Sequence, residues 1–185
     1  MIIILFCLVG CSPSVPQEVV EKKVEKKVEF VEEKAEEKVE VKKKEQVEDL
    51  DVIIFDIQDI GVRFYTYIST LHYLMESCAE NNIPLIVLDR PNPNGQYVDG
   101  PTMEKEHQSF LGMHPIPLVY GMTIGEYARM INGEKWLSNG EQCNLIVLAN
   151  ANYSHDKSYR LIIRPSPNIP NDQSIKLYPS LGLFE

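Results

Sequence analysis

The stretch LDVIIFDIQDIGVRFYTY, Leu50 to Tyr67, changes character part-way along. Leu50 to Ile57 is a near-continuous run of β-branched, aliphatic and aromatic residues, the pattern of a strand buried on both faces, as in a parallel sheet. From Asp56 to Tyr67 the chain becomes polar: Asp56, Gln58, Asp59, Arg63, Tyr65 and Tyr67 crowd around Gly61, which permits a backbone turn between the acids and the arginine.

Downstream, Ser69 to Asn81 places Leu71, Leu74, Met75, Cys78 and Ala79 on one side of a helix, which Asn81, Asn82 and Pro84 bring to an end. Leu85 to Leu88 reads as a second strand, closed by the Pro- and Asn-rich loop DRPNPNG, Asp89 to Gly95. Thr123 to Asn132 reads as another helix, with Thr123 three residues before Glu126 in the spacing of a capping box. Asn144 to Leu148 is a further buried-strand candidate. Strands alternating with helices imply right-handed βαβ units, hence an α/β fold with a parallel sheet and helices on its faces.

In such sheets ligands bind beyond the carboxyl ends of the strands. Two strands here end in acids, Asp56 and Asp89, each followed at once by a polar loop. Adjacent parallel strands lie about 4.8 Å apart, so carboxylates at neighbouring strand ends can reach the separations of about 5 to 9.5 Å that glycosidases use. Carboxylates for proton transfer, Gln58, Arg63, Arg90 and Asn92 for hydroxyl and carboxylate recognition, and Tyr65, Tyr67 and Tyr120 for stacking make up an inventory suited to carbohydrate chemistry. His114, in a loop held by Pro115 and Pro117, and Asn171, in the turn-rich NIPND segment, are placed to join them. Each has a structural alternative. Arg63 can neutralise Asp56 or Asp59, the tyrosines can pack in the core, Asn92 and Asn94 can serve turns, and Asn171 and Asp172 can start a helix.

The remaining features bound the class. A formal net charge of −9 argues against a nucleic-acid partner, because such binding rests on clustered Lys and Arg. Cys7, Cys11, Cys78 and Cys143 form no pair or Cys/His cluster with zinc-site spacing, so no metal is expected, and Cys78 and Cys143 read as two buried thiols rather than a disulfide. Ile2 to Gly10 is a short apolar run ahead of Cys11, too short for a bilayer span of about 20 residues. Together with Leu8-Val9-Gly10-Cys11 it resembles the lipobox of bacterial lipoproteins. Residues 1–11 are therefore expected to be a signal peptide with Cys11 lipidated, and Ser12 after the cysteine leans toward the outer membrane. Residues 12–48 read as a charged linker or stalk, helical or disordered, because Glu18 to Glu48 is nearly all Glu, Lys and Val. The foldable domain is expected at 49–185.

The ordered blocks DVIIFDIQDIGVRFYTYISTLHYLMESCAENNIPLIVLDRPNPNG (Asp51 to Gly95), VDGP (Val98 to Pro101), SFLGMHPIPLVYGMTIGEYARMING (Ser109 to Gly133) and SPNIPNDQSIKLYPSLGLFE (Ser166 to Glu185) resemble the bacterial exo-β-N-acetylmuramidase family, long catalogued as a domain of unknown function. The resemblance implies a partial Rossmann-like domain, no cofactor, and removal of terminal N-acetylmuramic acid from the non-reducing ends of peptidoglycan fragments. On this reading Asp56, Asp59 and Asp89 are candidate catalytic acids, and Arg63 and Arg90 are candidate partners for the lactyl carboxylate. Relatives carry further sequence on both sides of these blocks. The chain is thus expected to be an incomplete member: inactive unless a complementing fragment joins it, a lipid-anchored binder of peptidoglycan fragments, or the product of a decayed gene.

Overall fold

A computed structural model describes residues 50–184; the lipobox at Cys11 and the charged stretch 12–48 lie outside them. Three short strands, β1 (Ile53–Phe55), β2 (Leu85–Leu88) and β3 (Leu145–Leu148), form one parallel sheet in the order β1-β2-β3. Phe55 pairs with Val87 and Val87 with Val147, so the strands end nearly level. Helix α1 (Tyr67–Glu80) links β1 to β2, and helix α2 (Ile124–Gly133) precedes β3. A third helix, α3 (Asp172–Leu181), follows.

Local chemistry accounts for these bounds. Thr66, in the left-handed region at φ 66°, turns the chain into α1 two residues earlier than the sequence pattern suggests. The helix stops where Asn82 takes a positive φ of 55° and Asn81 Nδ2 donates back to the Ser77 carbonyl at 2.8 Å. Helix α2 has the expected capping box: Thr123 Oγ1 accepts from Glu126 N, and the Glu126 carboxylate accepts from Thr123 N at 2.8 Å. The same Thr123 hydroxyl donates to Asp89 at 2.9 Å, tying the start of α2 to the end of β2. Thr123→Ala should cost about 1–2 kcal/mol, read as a lower urea midpoint with an unchanged m-value; Thr123→Ser should retain most of the stability.

Ile68, Leu71, Met75 and Cys78 of α1 and Ile124, Tyr127, Ala128 and Ile131 of α2 recur every three or four residues, and both sets are buried with Phe55, Leu85 and Val87 of the sheet. Cys78 and Cys143 are buried free thiols, as expected. Ile60 and Val62, from the polar stretch after β1, join Ile169 and Ile175 in a second small core.

The expectation of burial on both sheet faces is met on one face only among the described residues. Right-handed crossovers that add strands in one direction put α1 and α2 on the same side. The alternate side chains Ile54, Ile146 and Leu148, 58%, 46% and 55% exposed, face away from them.

Candidate functional site

Asp56 and Asp89 follow adjacent parallel strands, so the two acids stand at neighbouring strand ends, where sequence alone left their adjacency open. A cleft of about 640 Å³ opens there, lined by Asp56, Asp89, Arg90, Asn150, Tyr153 and Lys157 among others. It therefore draws on the carboxyl ends of all three strands, the position expected of a ligand site in a parallel sheet. A second cleft of about 400 Å³ shares Asp56, Arg90 and Tyr159 with the first and continues along Gln58, Tyr67, Leu161 to Arg164 and Pro165.

The wall common to both is an ion pair, Arg90 Nε to Asp56 Oδ1 at 2.6 Å. Both side chains are about two-fifths exposed, so the pair contributes no more than about 1 kcal/mol to folding. The hydrogen bond from Arg90 holds the Asp56 carboxyl below the usual carboxylate range. Asp89, one strand over, is engaged differently. Its carboxylate accepts from Gly125 N at 2.8 Å, Arg90 N at 3.0 Å and Thr123 Oγ1, and so anchors the first turn of α2.

The other residues singled out from sequence divide into those at the clefts and those behind them. Gln58 and Tyr67 line the second cleft, with Gln58 Nε2 fixed by the carbonyls of Asp59 and Pro91 at 2.7 and 2.8 Å. Tyr65 donates its hydroxyl to the Pro165 carbonyl at 3.1 Å and packs edge-on against Tyr67 and Tyr178. Asn171 caps α3, accepting from Ser174 N at 2.9 Å, and borders a small recess with Arg160 and Arg164. The helix start foreseen as its structural alternative is thus present.

Asp59, Arg63, Asn92, His114 and Tyr120 are buried. Arg63 pairs with neither Asp56 nor Asp59; it donates to the carbonyls of Pro101 and Ile116 at 3.0 and 2.6 Å and fastens the long segment between β2 and α2. Asn92 accepts from Asn94 N and donates to the Met122 carbonyl, both at 2.8 Å. Asp59 accepts from Gly61 N at 2.7 Å and from the Tyr120 hydroxyl. Burial raises its pKa to about 6, against the pull of those two donors.

His114 sits in a one-way hydrogen-bond chain. His72 Nε2 faces Glu76 at 3.1 Å, His114 Nε2 faces His72 Nδ1 at 3.0 Å, and His114 Nδ1 faces the Tyr127 hydroxyl at 2.6 Å. With both imidazoles neutral every bond has one proton: Tyr127 donates to His114, His114 to His72, and His72 to Glu76. Trp136 stacks on His114 at a ring distance of 4.7 Å. Burial, reinforced by His72, pushes His114 down to about 4.

Sequence reasoning missed the third wall, Asn150 to Ser154 with Lys157 to Tyr159. Its signal was present, since NANYS after β3 is as polar and turn-rich as DRPNPNG after β2. Tyr153 donates to the Asn92 carbonyl at 3.1 Å, and His155 spans Gly95 O and the Glu126 carboxylate at 3.2 and 3.0 Å. Both His155 contacts are with acceptors, so making them together requires the imidazolium, and the Glu126 bond raises its pKa accordingly. Asn150 Nδ2 is buried at this wall without a hydrogen-bond partner among the described residues.

Residues 16–173 match the family profile of the N-terminal part of the exo-β-N-acetylmuramidase NamZ, a match that reaches into the charged stretch ahead of the folded domain. The chain belongs to this family. It is 44% identical over 146 residues to the peptidoglycan β-N-acetylmuramidase NamZ of Bacillus subtilis (strain 168), covering 76% of this chain and 34% of that one. Two DUF1343-family crystal structures from Bacteroides fragilis NCTC 9343 superpose with TM-scores of 0.71. The first is 52% identical and covers 72% of this chain and 38% of its own; the second is 43% identical, with 76% and 37%. The chain thus spans little more than a third of the length of these relatives.

Proposed function

We propose that the chain supplies the sugar-facing wall of an exo-β-N-acetylmuramidase, a glycoside hydrolase that takes a terminal N-acetylmuramic acid residue from peptidoglycan fragments. The observation that carries this reading is the position of the clefts: they lie at the carboxyl ends of β1, β2 and β3 and are lined by acids, amides, cations and aromatic rings. Asp56 and Asp89 are the acids placed to act there, with Gln58, Tyr67 and Arg90 for recognition. A substrate in the cell wall goes with a place in the cell envelope. Lipid attachment at Cys11, with residues 12–48 as a tether and the outer membrane as the favoured site, fits that placement. A fragment that completes the cleft is a further partner on this reading.

One observation favours a second reading, a binder that does not hydrolyse. A general acid must hold its proton near the working pH, whereas Asp56 is kept ionised by Arg90 and the acid with the raised pKa, Asp59, is buried under Tyr120. The two readings separate when the purified chain is incubated with muramyl disaccharides while binding is followed by calorimetry. Release of free N-acetylmuramic acid establishes the hydrolase, and saturable heat without release establishes the binder. A folded chain that gives neither heat nor product defeats both.

A further inference from the structure

We propose that the smaller cleft is the pocket for the acidic side arm of the sugar, with Arg164 as the residue that distinguishes a lactyl-bearing hexosamine from a plain one. The proposal rests on the sugar-binding reading above. The lactyl ether presents a carboxylate and, on the adjoining carbon, a methyl group. A pocket selective for it needs a cation with free donors next to aliphatic surface.

The arginines differ in their freedom to provide this. Arg63 is committed to two carbonyls, Arg90 to Asp56, Arg129 to the Val147 carbonyl at 3.4 Å, and Arg160 to Asp172 at 3.0 Å. Arg164 lines the smaller cleft and has no hydrogen bond or ion pair among the described residues. Beside it are Ile162 and Ile163, 93% and 80% exposed, the aliphatic surface a methyl group needs. The backbone at this point is anchored, because the carbonyl of Pro165, the next residue, receives the Tyr65 hydroxyl at 3.1 Å. Proline also restricts Arg164 to extended conformations. The acid in the same cleft, Asp56, is neutralised by Arg90, so an incoming carboxylate does not meet a bare negative charge. Arg90 and Arg63, the guanidinium groups that sequence offered for this task, are already engaged, which leaves it to Arg164.

The test is calorimetric titration of the full chain with N-acetylmuramic acid and, separately, N-acetylglucosamine. It uses the wild type, Arg164→Ala, Arg164→Lys and, as a matched exposed control, Arg160→Ala. The wild type should prefer the acidic sugar by about tenfold, the size of one charge-assisted contact at an open site. Arg164→Ala should abolish the preference by weakening the acidic sugar alone, Arg164→Lys should keep part of it, and Arg160→Ala should keep all of it. Equal affinity of the wild type for the two sugars, or an undiminished preference in Arg164→Ala, overturns this assignment and leaves the sugar-binding reading intact. Failure of the wild type to bind either sugar overturns both.

Discussion

Gly61→Ala should destabilise the domain by roughly 3–5 kcal/mol and lower its melting temperature by roughly 10 °C. Gly61 has φ +76°, where a side chain costs about 1–2 kcal/mol by itself. A Cβ there would also lie 2.3 to 2.7 Å from the carboxamide of Asn92. That carboxamide cannot move cheaply, since it is held by Met122 O and Asn94 N, and Asn94 in turn donates to the Ile60 carbonyl at 2.9 Å. Displacing it leaves buried donors and acceptors unpaired, at about 1–3 kcal/mol for each group. Gly133→Ala is the matched comparison: a Cβ at the end of α2 meets nothing within 4 Å, so this variant should gain about 0.5–1 kcal/mol of helix propensity. Urea unfolding of both against the wild type checks the pair, and equal midpoints for the two variants would show that the turn at Gly61 tolerates a side chain.

This turn also shows how much could be read in advance. The α/β class, the strand Leu85 to Leu88 and the capping box at Thr123 were all legible, because each rests on short-range pattern, and the clefts do open where Asp56 and Asp89 end their strands. Which members of a polar cluster line a cleft was not legible. Asp59 and Arg63 have the same composition signal as Asp56 and Gln58, yet they lie beneath the surface because Ile60 and Val62 between them are drawn into a core built with Ile169 and Ile175, more than a hundred residues later in the chain. His114 and Asn92 were likewise indistinguishable from ligand-facing residues until their partners Tyr127, His72 and Met122 were placed. That one sheet face is left uncovered among the described residues was hidden for a similar reason: a run such as IIF is the same whether or not something packs on its second side.

The second large effect concerns acidity, where two buried groups act in opposite directions. His114 has a folded pKa of about 4 against about 6.5 when unfolded. Above pH 6.5 it is neutral in both states; as pH falls the unfolded chain takes up the proton first, and roughly 2.5 kcal/mol of stability is lost by pH 4.5. His72, also shifted down by burial, adds to that loss, and Glu76, shifted down overall by its donors, adds to it at lower pH. Asp59 has a folded pKa of about 6, above its unfolded value of about 3.9. The folded state therefore binds the proton first, and roughly 2 kcal/mol is gained over the same interval. The wild type should change only modestly between pH 7 and 4.5. His114→Gln, with the opposing group removed, should grow more stable on acidification relative to its own value at pH 7, whereas Asp59→Asn should lose roughly 2–3 kcal/mol. Chemical denaturation across this range reads the slopes directly, and parallel profiles for the three proteins would contradict the opposition.

The strand order β1-β2-β3 has a consequence for how the molecule is made. Because spatial order follows chain order, each strand emerging during synthesis finds its neighbour already in place, and the sheet can grow in the direction of translation. The exception is α3. Its Ile175 and Tyr178 complete the small core built on Ile60 and Val62, and Asn94 makes a long 3.4 Å bond to the carbonyl of Ile175, which Pro179 has no N–H to satisfy. The loop that follows β1 therefore acquires its final shape only after α3 has emerged and docked, although β1 beside it is made more than a hundred residues earlier.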